Sequence, residues 1–164
     1  TKAPDHAESR LKIIDCVEKG AMYGIRSKGI NLTSCDWHVI DAKKEYWKYS
    51  QSDIYDHVSQ VAVDLNFAEW SIGDNWYQYY KEGDFHDWHV HGNCMFVGVY
   101  YVKLNGDHPK ILFKWNGKEY AVPVEEGDII TFPSFLHHKA PINKTQDSKL
   151  ILSFNVNFNV GSYE

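Results

Sequence analysis

The segment Trp88-His-Val-His91 predicts a short β-strand that carries two histidines one residue apart. Side chains alternate between the two faces of a strand, so His89 and His91 should share a face and could hold one metal ion together. A third ligand has to come from a distant part of the chain. His138 fits this role, because it follows a Gly-Asp turn and the apolar run 129–132, which is typical of another strand.

The composition suits a single globular domain with a sizeable core, since the 164 residues are 43% apolar and 15% aromatic. A formal charge of −5, without any Lys/Arg cluster, argues against a nucleic-acid-binding surface. No run approaches the ~20 apolar residues of a membrane span, and no signal-peptide pattern opens the sequence. The three scattered cysteines are typical of reduced cytosolic thiols. We therefore expect a soluble, cytoplasmic protein that binds a small molecule or peptide, and neither nucleic acid nor membrane.

Two helices are predicted in the N-terminal part of the chain, at about residues 5–70. The first spans residues 6–22, with Asp5 as its N-cap and apolar residues at three- and four-residue steps. This apolar stripe consists of Ala7, Leu11, Ile14, Val17 and Ala21. The second spans about residues 53–68, and Ser52 is placed to cap its first turn. We expect both helices to cover a sheet.

The β core is predicted at about residues 74–158, where short apolar runs alternate with turn residues. Strands are expected at residues 76–80, 88–91, 95–103, 111–115, 120–124, 129–132 and 149–158. Asn105-Gly106 and Asn116-Gly117 are hairpin signals between such runs. Seven or eight antiparallel strands favour a mainly β fold over a parallel α/β fold. The predicted architecture is a double-stranded β-helix (jelly roll) with N-terminal helices packed on one sheet, in a single domain of residues 1–164.

Five stretches of this β core resemble a known family of enzymes. They are Trp76-Tyr-Gln-Tyr-Tyr-Lys-Glu-Gly83, Trp88-His-Val-His-Gly-Asn93, Gly98-Val-Tyr-Tyr-Val102, Gly127-Asp-Ile-Ile-Thr-Phe-Pro-Ser134 and Lys149-Leu-Ile-Leu-Ser-Phe-Asn155. They are similar to the iron(II)- and 2-oxoglutarate-dependent oxygenases, in particular to small bacterial and phage members. The resemblance covers roughly residues 74–158. It includes the six-residue interval from Gly83 to His89, which in this family separates a glycine from the first metal ligand.

The resemblance implies a dioxygenase that uses Fe(II), 2-oxoglutarate and O2, and that hydroxylates a substrate while 2-oxoglutarate is decarboxylated to succinate. It implies His89 and His138 as the two histidine ligands. Lys149, eleven residues after His138, corresponds to the basic residue that binds the distal carboxylate of 2-oxoglutarate. Tyr80 resembles a strand tyrosine that assists there. Ser153 could supply a further hydrogen bond, since a lysine acts on a carboxylate as a point charge.

The middle ligand of the family is usually Asp or Glu, whereas this sequence has His91. We interpret the ligand set as His89, His91 and His138, because a three-ligand face still leaves positions open for co-substrate and O2. Such a face carries no negative charge, so the dianionic co-substrate would compensate the ion. Asp87, expected on the same strand face as His89, is the alternative ligand, and His86 would substitute if the strand register slips.

Two other classes of function also fit parts of the pattern. A cupin-like three-histidine dioxygenase or isomerase without 2-oxoglutarate would explain the spacing of the histidine motifs. However, the glutamate that cupins carry shortly after His91 is absent, and a cupin has no need for Lys149. The other class is a non-catalytic jelly-roll protein whose zinc has a closed four-ligand shell.

The sequence leaves the substrate and the oligomeric state open. Specificity in such folds lies in loops at the mouth, and these carry no recognisable motif. Prolyl residues of proteins, free amino acids and other small metabolites all remain candidates. The alternating run 154–160 could extend a sheet edge or pair with a second copy to form a homodimer.

Overall fold

The computed structural model describes residues 1–159, in which two antiparallel sheets face each other and helices cover one of them. In chain order the elements are α1 (His6–Glu18), β1 (Ile25–Ser27), β2 (Ile30–Leu32), β3 (Ser34–Cys35), a 3₁₀ helix (Glu45–Tyr49), α2 (Gln51–Asp64), β4 (Glu69–Tyr80), β5 (Phe85–His89), β6 (Phe96–Lys103), β7 (Leu112–Trp115), β8 (Lys118–Ala121), β9 (Ile129–Pro133), β10 (His137–Ala140) and β11 (Lys149–Asn159). Among these residues, no helix has the length and apolar character that crossing a membrane requires.

The strands alternate between the two sheets as the chain winds around the roll. The six-stranded sheet has the order β1-β2-β5-β10-β7-β8, and the five-stranded sheet has the order β3-β4-β11-β6-β9. Side chains from both sheets meet in one apolar cluster, in which Leu32 and Phe113 of the first sheet join Val99 and Ile151 of the second. This topology confirms the predicted mainly β, double-stranded β-helix fold.

Both helices lie on the outer face of the five-stranded sheet, as predicted. Helix α1 packs against β6, and α2 packs against β4 and β9. Ile13, Ile54 and Val58 are fully buried there against Leu150 and Leu152 of β11. Burying each such aliphatic side chain stabilises the fold by about 1.5–3 kcal/mol. The helices therefore hold in place the sheet whose other face lines the roll.

The predicted apolar stripe of α1 is only partly correct. Val17 is buried and Ile14 packs against the core, as predicted, whereas Leu11 is 67% exposed and the unpredicted Ser9 and Ile13 are buried. At the start of the helix His6 meets a tyrosine of β6, with its Nδ1 2.7 Å from the Tyr100 hydroxyl. Helix α1 also ends at Glu18, short of the predicted residue 22.

Helix α2 begins two residues earlier and ends four residues earlier than predicted. Ser50, and not Ser52, occupies the N-cap position, and its hydroxyl donates to the Trp47 carbonyl instead of capping α2. The helix ends because Asn66 adopts a left-handed conformation with φ 58°. The predicted burial of Ile54, Val58 and Ala62 is confirmed.

All seven predicted strands are present with shifted ends, and four more are found in the described residues. The additional strands are the short β1, β2, β3 and β10. Asn116-Gly117 forms the predicted hairpin between β7 and β8, with φ values of 49° and 72°. The hairpin predicted at Asn105-Gly106 is wrong, because β6 and β7 lie in different sheets.

The C-terminal run that could extend a sheet edge or pair with a second copy lies partly inside its sheet. Strand β11 pairs with β4 as far as Asn159, and with β6 on its other side as far as Val156. An edge strand would offer unpaired backbone groups to a second copy, and in this run only residues 157–159 have β4 as their single neighbouring strand. Residue 160 of the predicted run lies outside the described residues. Homodimer formation therefore gains no support from this strand.

Candidate active site

The three histidines singled out in the sequence converge at one end of β5 and β10. His89 and His138 lie directly opposite each other in the antiparallel pairing of these strands, and His91 follows two residues after β5 ends. One imidazole nitrogen of each residue lies within 4.8 Å of the others. The ring centroids of His89 and His138 are 4.2 Å apart, and His91 lies 5.2–5.4 Å from both. Three nitrogen donors on one face could hold a metal ion.

Each of the three rings has an oxygen acceptor at its Nδ1 atom. The Nδ1 of His89 lies 2.7 Å from the Asp87 carbonyl, and that of His138 lies 2.9 Å from the Leu136 carbonyl. The Nδ1 of His91 lies 3.2 Å from the side-chain oxygen of Asn155. When Nδ1 donates its proton to such an acceptor, the lone pair resides on Nε2. The same ring nitrogen is thus free for a metal ion in all three residues.

Burial keeps these imidazoles neutral. Burial, together with the neighbouring histidines, lowers the pKa of His138 to about 3 and that of His89 to about 4. The pKa of His91 is also lowered by burial, against the opposing effect of Asn155. A neutral imidazole is the form that binds metal, so no proton has to be displaced from these rings near neutral pH.

A β-bulge decides which neighbours of His89 face the cluster. His138 pairs with His89, but Ala140, two residues later, pairs with His86, so β5 has one extra residue here. His86 consequently stacks on His89 with ring centroids 3.7 Å apart. The Asp87 side chain is exposed and accepts a hydrogen bond from the Trp88 backbone.

The alternative ligand Asp87 is therefore not part of the described histidine group. It lines a different cavity, of about 600 Å³, on the outer side of the sheet, which contains none of the three histidines. Strict alternation predicted that Asp87 and His89 share a face. That prediction is wrong because the bulge shifts the alternation by one residue.

The tight turn before β5 fixes the start of the histidine strand. Gly83 has φ 86°, a left-handed conformation that a side chain would strain. The buried carboxylate of Asp84 accepts hydrogen bonds from the backbone of Lys81 and of Thr33, at 2.8 and 2.7 Å. It also accepts from the Asn31 side chain. The interval between Gly83 and His89 is thus anchored by hydrogen bonds across the roll.

Lys149 lies inside the roll, where β11 begins opposite the end of β4. It is only 2% exposed, and its ammonium lies 4.7 Å from the ring centroid of Tyr80, the residue it pairs with. Within residues 1–159, no carboxylate oxygen lies within 4.0 Å of this ammonium. Burial, together with the charge of Lys110, lowers the pKa of Lys149 to about 8. An unpaired buried cation of this kind is costly unless an anion joins it.

Tyr80 and Ser153 share one partner that the sequence analysis did not single out, Gln78. The Gln78 side-chain oxygen accepts from the Tyr80 hydroxyl at 3.2 Å and from the Ser153 hydroxyl at 3.5 Å. Its amide nitrogen lies 3.2 Å from Nδ1 of His86. Period-two alternation from Tyr80 could have indicated Gln78, since both face the interior from β4.

Two further residues were missed in the sequence. Asn155, six residues after Lys149, orients His91 through the contact described above. Tyr101 of β6 is completely buried opposite Ile151, and its hydroxyl has no hydrogen-bond partner in the described residues. A buried hydroxyl without a partner costs about 1–3 kcal/mol, so it marks a place where a polar ligand group would be stabilised.

The histidines separate a small inner cavity from a wider outer groove. The inner cavity, of about 40 Å³, lies between the sheets and is lined by the three histidines together with Gln78, Tyr80 and Ser153. The groove, of about 310 Å³, opens to solvent on the other side and is lined by His89 and His91 of the three, together with His86. A group bound at the histidines could therefore meet one ligand from inside the roll and another from the groove.

Comparison with known proteins shows the fold. No protein-family model and no curated protein matches the sequence. Among solved structures, a prolyl-4-hydroxylase of Pseudomonas putida superposes with a TM-score of 0.67 at 14% identity, over 94% of this chain and 86% of that one. The viral collagen prolyl hydroxylase of Paramecium bursaria Chlorella virus-1, in complex with 2-oxoglutarate, gives 0.60 at 14% identity, over 94% and 91%.

A third similar structure is SnoN, a non-haem α-ketoglutarate-dependent epimerase of nogalamycin biosynthesis. It gives a TM-score of 0.69 at 12% identity, over 95% of this chain and 74% of that one. At such identities the similarity establishes the fold alone. The resemblance to 2-oxoglutarate-dependent oxygenases noted in the sequence is thus confirmed for the fold.

Proposed function

We propose that this protein is an Fe(II)- and 2-oxoglutarate-dependent dioxygenase that hydroxylates its substrate while 2-oxoglutarate is decarboxylated to succinate. One observation carries the proposal: a buried lysine, which has no anionic partner within residues 1–159, faces the same interior as three converging histidines. A metal-binding role alone would explain the histidines. It would leave the desolvation penalty of the buried Lys149 ammonium uncompensated. A dicarboxylate that reaches both groups explains them together.

The three histidines fit the metal. His89, His91 and His138 would hold Fe(II) through their Nε2 atoms, since each Nδ1 faces an oxygen acceptor. Three neutral ligands on one face leave positions open for other ligands. When bound there, the iron supplies the activation of O2 that hydroxylation requires. The chain itself supplies orientation through the outer-shell acceptors of the rings.

The inner cavity fits one end of the co-substrate. Lys149 would pair with the distal carboxylate of 2-oxoglutarate, which would also relieve the cost of its burial. The hydroxyls of Tyr80, Ser153 and Tyr101 lie on the inner faces of neighbouring strands. Tyr101 would donate a further hydrogen bond to the ligand, and Tyr80 and Ser153 would do so in place of their bonds to Gln78. Several neutral donors around one ammonium compensate for the absence of a bidentate arginine.

The charge of the site is consistent with a dianionic ligand. A face of three histidines contributes no negative charge, so a divalent ion and Lys149 together leave a positive interior. The two carboxylates of a bound dicarboxylate would neutralise most of this positive charge. The site thus favours a dicarboxylate over a neutral co-substrate.

Calorimetric titration of 2-oxoglutarate into the anaerobic, Fe(II)-loaded protein tests the proposal. We expect binding in the micromolar range that disappears without metal, followed by succinate release when O2 is admitted. The same titration with succinate in place of 2-oxoglutarate is the control, because succinate lacks the 2-oxo acid that chelates the ion. Metal binding without any affinity for 2-oxoglutarate would contradict the proposal.

The second candidate function is a cupin-like three-histidine dioxygenase or isomerase that does not use 2-oxoglutarate. It is favoured by one observation, namely that the described ligand group contains no carboxylate. It leaves the buried Lys149 unexplained, which is why we place it second. The titration above separates the two candidates, since only the first requires 2-oxoglutarate. A closed structural zinc site would need a fourth ligand, and the described group has three.

A further inference from the structure

The outer groove has an aromatic wall that runs from the surface to the histidines. Trp37, two residues after β3, is 60% exposed, whereas Trp76 of β4 is only 5% exposed. Their ring centroids are 6.1 Å apart. Trp76 in turn stacks on His91, with centroids 5.7 Å apart and planes 20° from parallel. A ligand that lies along this wall therefore has one end beside His91, one of the three histidines.

Trp37 is held in its exposed position by the residue before it. The buried carboxylate of Asp36 accepts a hydrogen bond from the Tyr46 hydroxyl at 2.8 Å and one from the Tyr77 backbone at 2.9 Å. These bonds anchor the chain next to Trp37, so its ring is presented to the groove without a large ordering cost on binding. An exposed tryptophan fixed in this way is suited to binding a ligand.

The groove carries a single formal charge, which is negative. Asp74 is the only Asp, Glu, Lys or Arg among its lining residues in the described part of the chain. Asp74 is exposed, and no Lys, Arg or His nitrogen of residues 1–159 lies within 4.0 Å of its carboxylate. The nearby Lys44 ammonium instead donates to the backbone carbonyl of Asn75. The Asp74 carboxylate is thus available for a cation from outside the protein.

We propose that the groove selects a substrate with a protonated amine or guanidinium group, which pairs with Asp74 and stacks on the face of Trp37. A tryptophan face attracts cations through its quadrupole, and a carboxylate beside it adds charge and hydrogen bonding. With the cation held at the outer end of the wall, the rest of the substrate extends along Trp76 towards His91. The inference rests on the proposed function, since it names the substrate class of the same site.

Calorimetry with three matched probes tests this inference. The cationic probes are N-acetyl-lysine methylamide and N-acetyl-arginine methylamide, and the neutral probe is N-acetyl-norleucine methylamide. A partly exposed ion pair together with one cation–π contact corresponds to about a ten-fold preference for at least one cationic probe. Because the pairing is electrostatic, this preference should shrink at high NaCl concentration.

Asp74→Asn should reduce the preference to the smaller part that the cation–π contact supplies, and Trp37→Leu should weaken the binding of the cationic probe. Asp56→Asn is the matched control, since Asp56 is an exposed carboxylate on α2, outside the groove. Equal affinity for charged and neutral probes, absence of binding by all three, or a preference left unchanged by Asp74→Asn would each overturn the inference.

The titrations are run with metal-free protein and again with Zn(II) and 2-oxoglutarate present. This separates the two proposals. If the protein fails to bind metal or 2-oxoglutarate, the proposed function is contradicted, but the cation preference of the metal-free groove remains measurable. If metal and 2-oxoglutarate bind and the cation preference is absent, only the substrate class is wrong.

Discussion

The two faces of the five-stranded sheet differ in how their polar groups are satisfied. On the face that the helices cover, the three buried tyrosine hydroxyls all have partners among the described residues. These pairs are Tyr77 with Ser34, Tyr79 with Glu18 and Tyr100 with His6. On the face that lines the roll, the Lys149 ammonium has no carboxylate within 4.0 Å and the Tyr101 hydroxyl has no partner in that same part of the chain.

This difference assigns different tasks to the two faces. A buried polar group that is paired costs little, whereas an unpaired one costs the full penalty of its desolvation. On the helix-covered face the paired tyrosine hydroxyls therefore add no such penalty, although Asn75 Oδ1 and Ser9 Oγ are without a partner there in the described residues. The inner face keeps unpaired polar groups whose desolvation penalty is compensated only when a ligand binds, as is common at functional sites. Substitutions on the two faces should consequently affect different measurable quantities.

The largest expected effect is on the inner side, at the histidines. His138→Ala removes a proposed metal ligand, so we expect metal affinity to fall by more than the roughly 10–100-fold that loss of an outer-shell partner costs. Calorimetric titration with Zn(II) measures this. His137→Ala is the matched control, because His137 is exposed in the same strand. Equal losses in the two variants would contradict the proposed ligand set.

The second prediction concerns the helix-covered face. Leu152 is fully buried against the helices, so Leu152→Ala should lower the free energy of unfolding by about 2–5 kcal/mol through lost burial and a cavity. Urea denaturation measures this loss. Metal affinity at a temperature where the variant is folded should stay unchanged. A fall in metal affinity as large as that of His138→Ala would show that a substitution on the helix-covered face also disturbs the metal site, which would contradict the prediction.

Lys149→Met should raise the stability of the protein and lower its affinity for 2-oxoglutarate. A pKa lowered from 10.5 to about 8 corresponds to about 3 kcal/mol lost by burying the charge, so the variant should unfold at higher urea concentration. Its affinity for 2-oxoglutarate should fall by about 100-fold, since a charged hydrogen-bond partner is lost. Lys144→Met, at an exposed position, should change neither quantity. A less stable Lys149→Met variant would contradict the unpaired state of this residue.

The pH dependence of stability provides an independent check on Lys149. Below about pH 8 the lysine is protonated in both the folded and the unfolded protein, and its burial cost is fully present. Between about pH 8 and 10.5 the folded protein has released this proton while the unfolded chain retains it, so stability rises with pH. We expect wild-type protein without ligand to gain stability relative to Lys149→Met in this window. Parallel curves for the two proteins would contradict the lowered pKa.

The smallest predicted effect is that of an outer-shell partner. Asn155→Ala removes the acceptor at Nδ1 of His91, which should weaken metal binding by about 10-fold. Zn(II) titration measures this change. Asn159→Ala, at the exposed far end of the same strand, is the control. If both variants bind metal like the wild type, Asn155 does not orient the ring.

Much of the fold was predictable because it depends on short-range patterns. Period-two alternation and turn residues located all seven predicted strands, and the hairpin followed from the pair Asn116-Gly117, whose residue types tolerate the positive φ values observed there. The short strands β1, β2 and β3 were missed, since two or three residues carry no periodic signal. The orientation of α1 was missed for a different reason. It depends on the packing of α1 against β6, which lies far away in the sequence.

By itself, the sequence determined the double-stranded β-helix and the convergence of His89, His91 and His138, while the family resemblance indicated Lys149, which lies inside the same roll. Residue type, alternation and spacing act within a few neighbours along the chain, and they suffice for such assignments. Only the tertiary structure decided that a bulge turns His86, and not Asp87, towards the cluster, and that Asn155 from β11 contacts His91. Both depend on the register between strands that are distant in the chain, which pairing and packing of the whole roll determine.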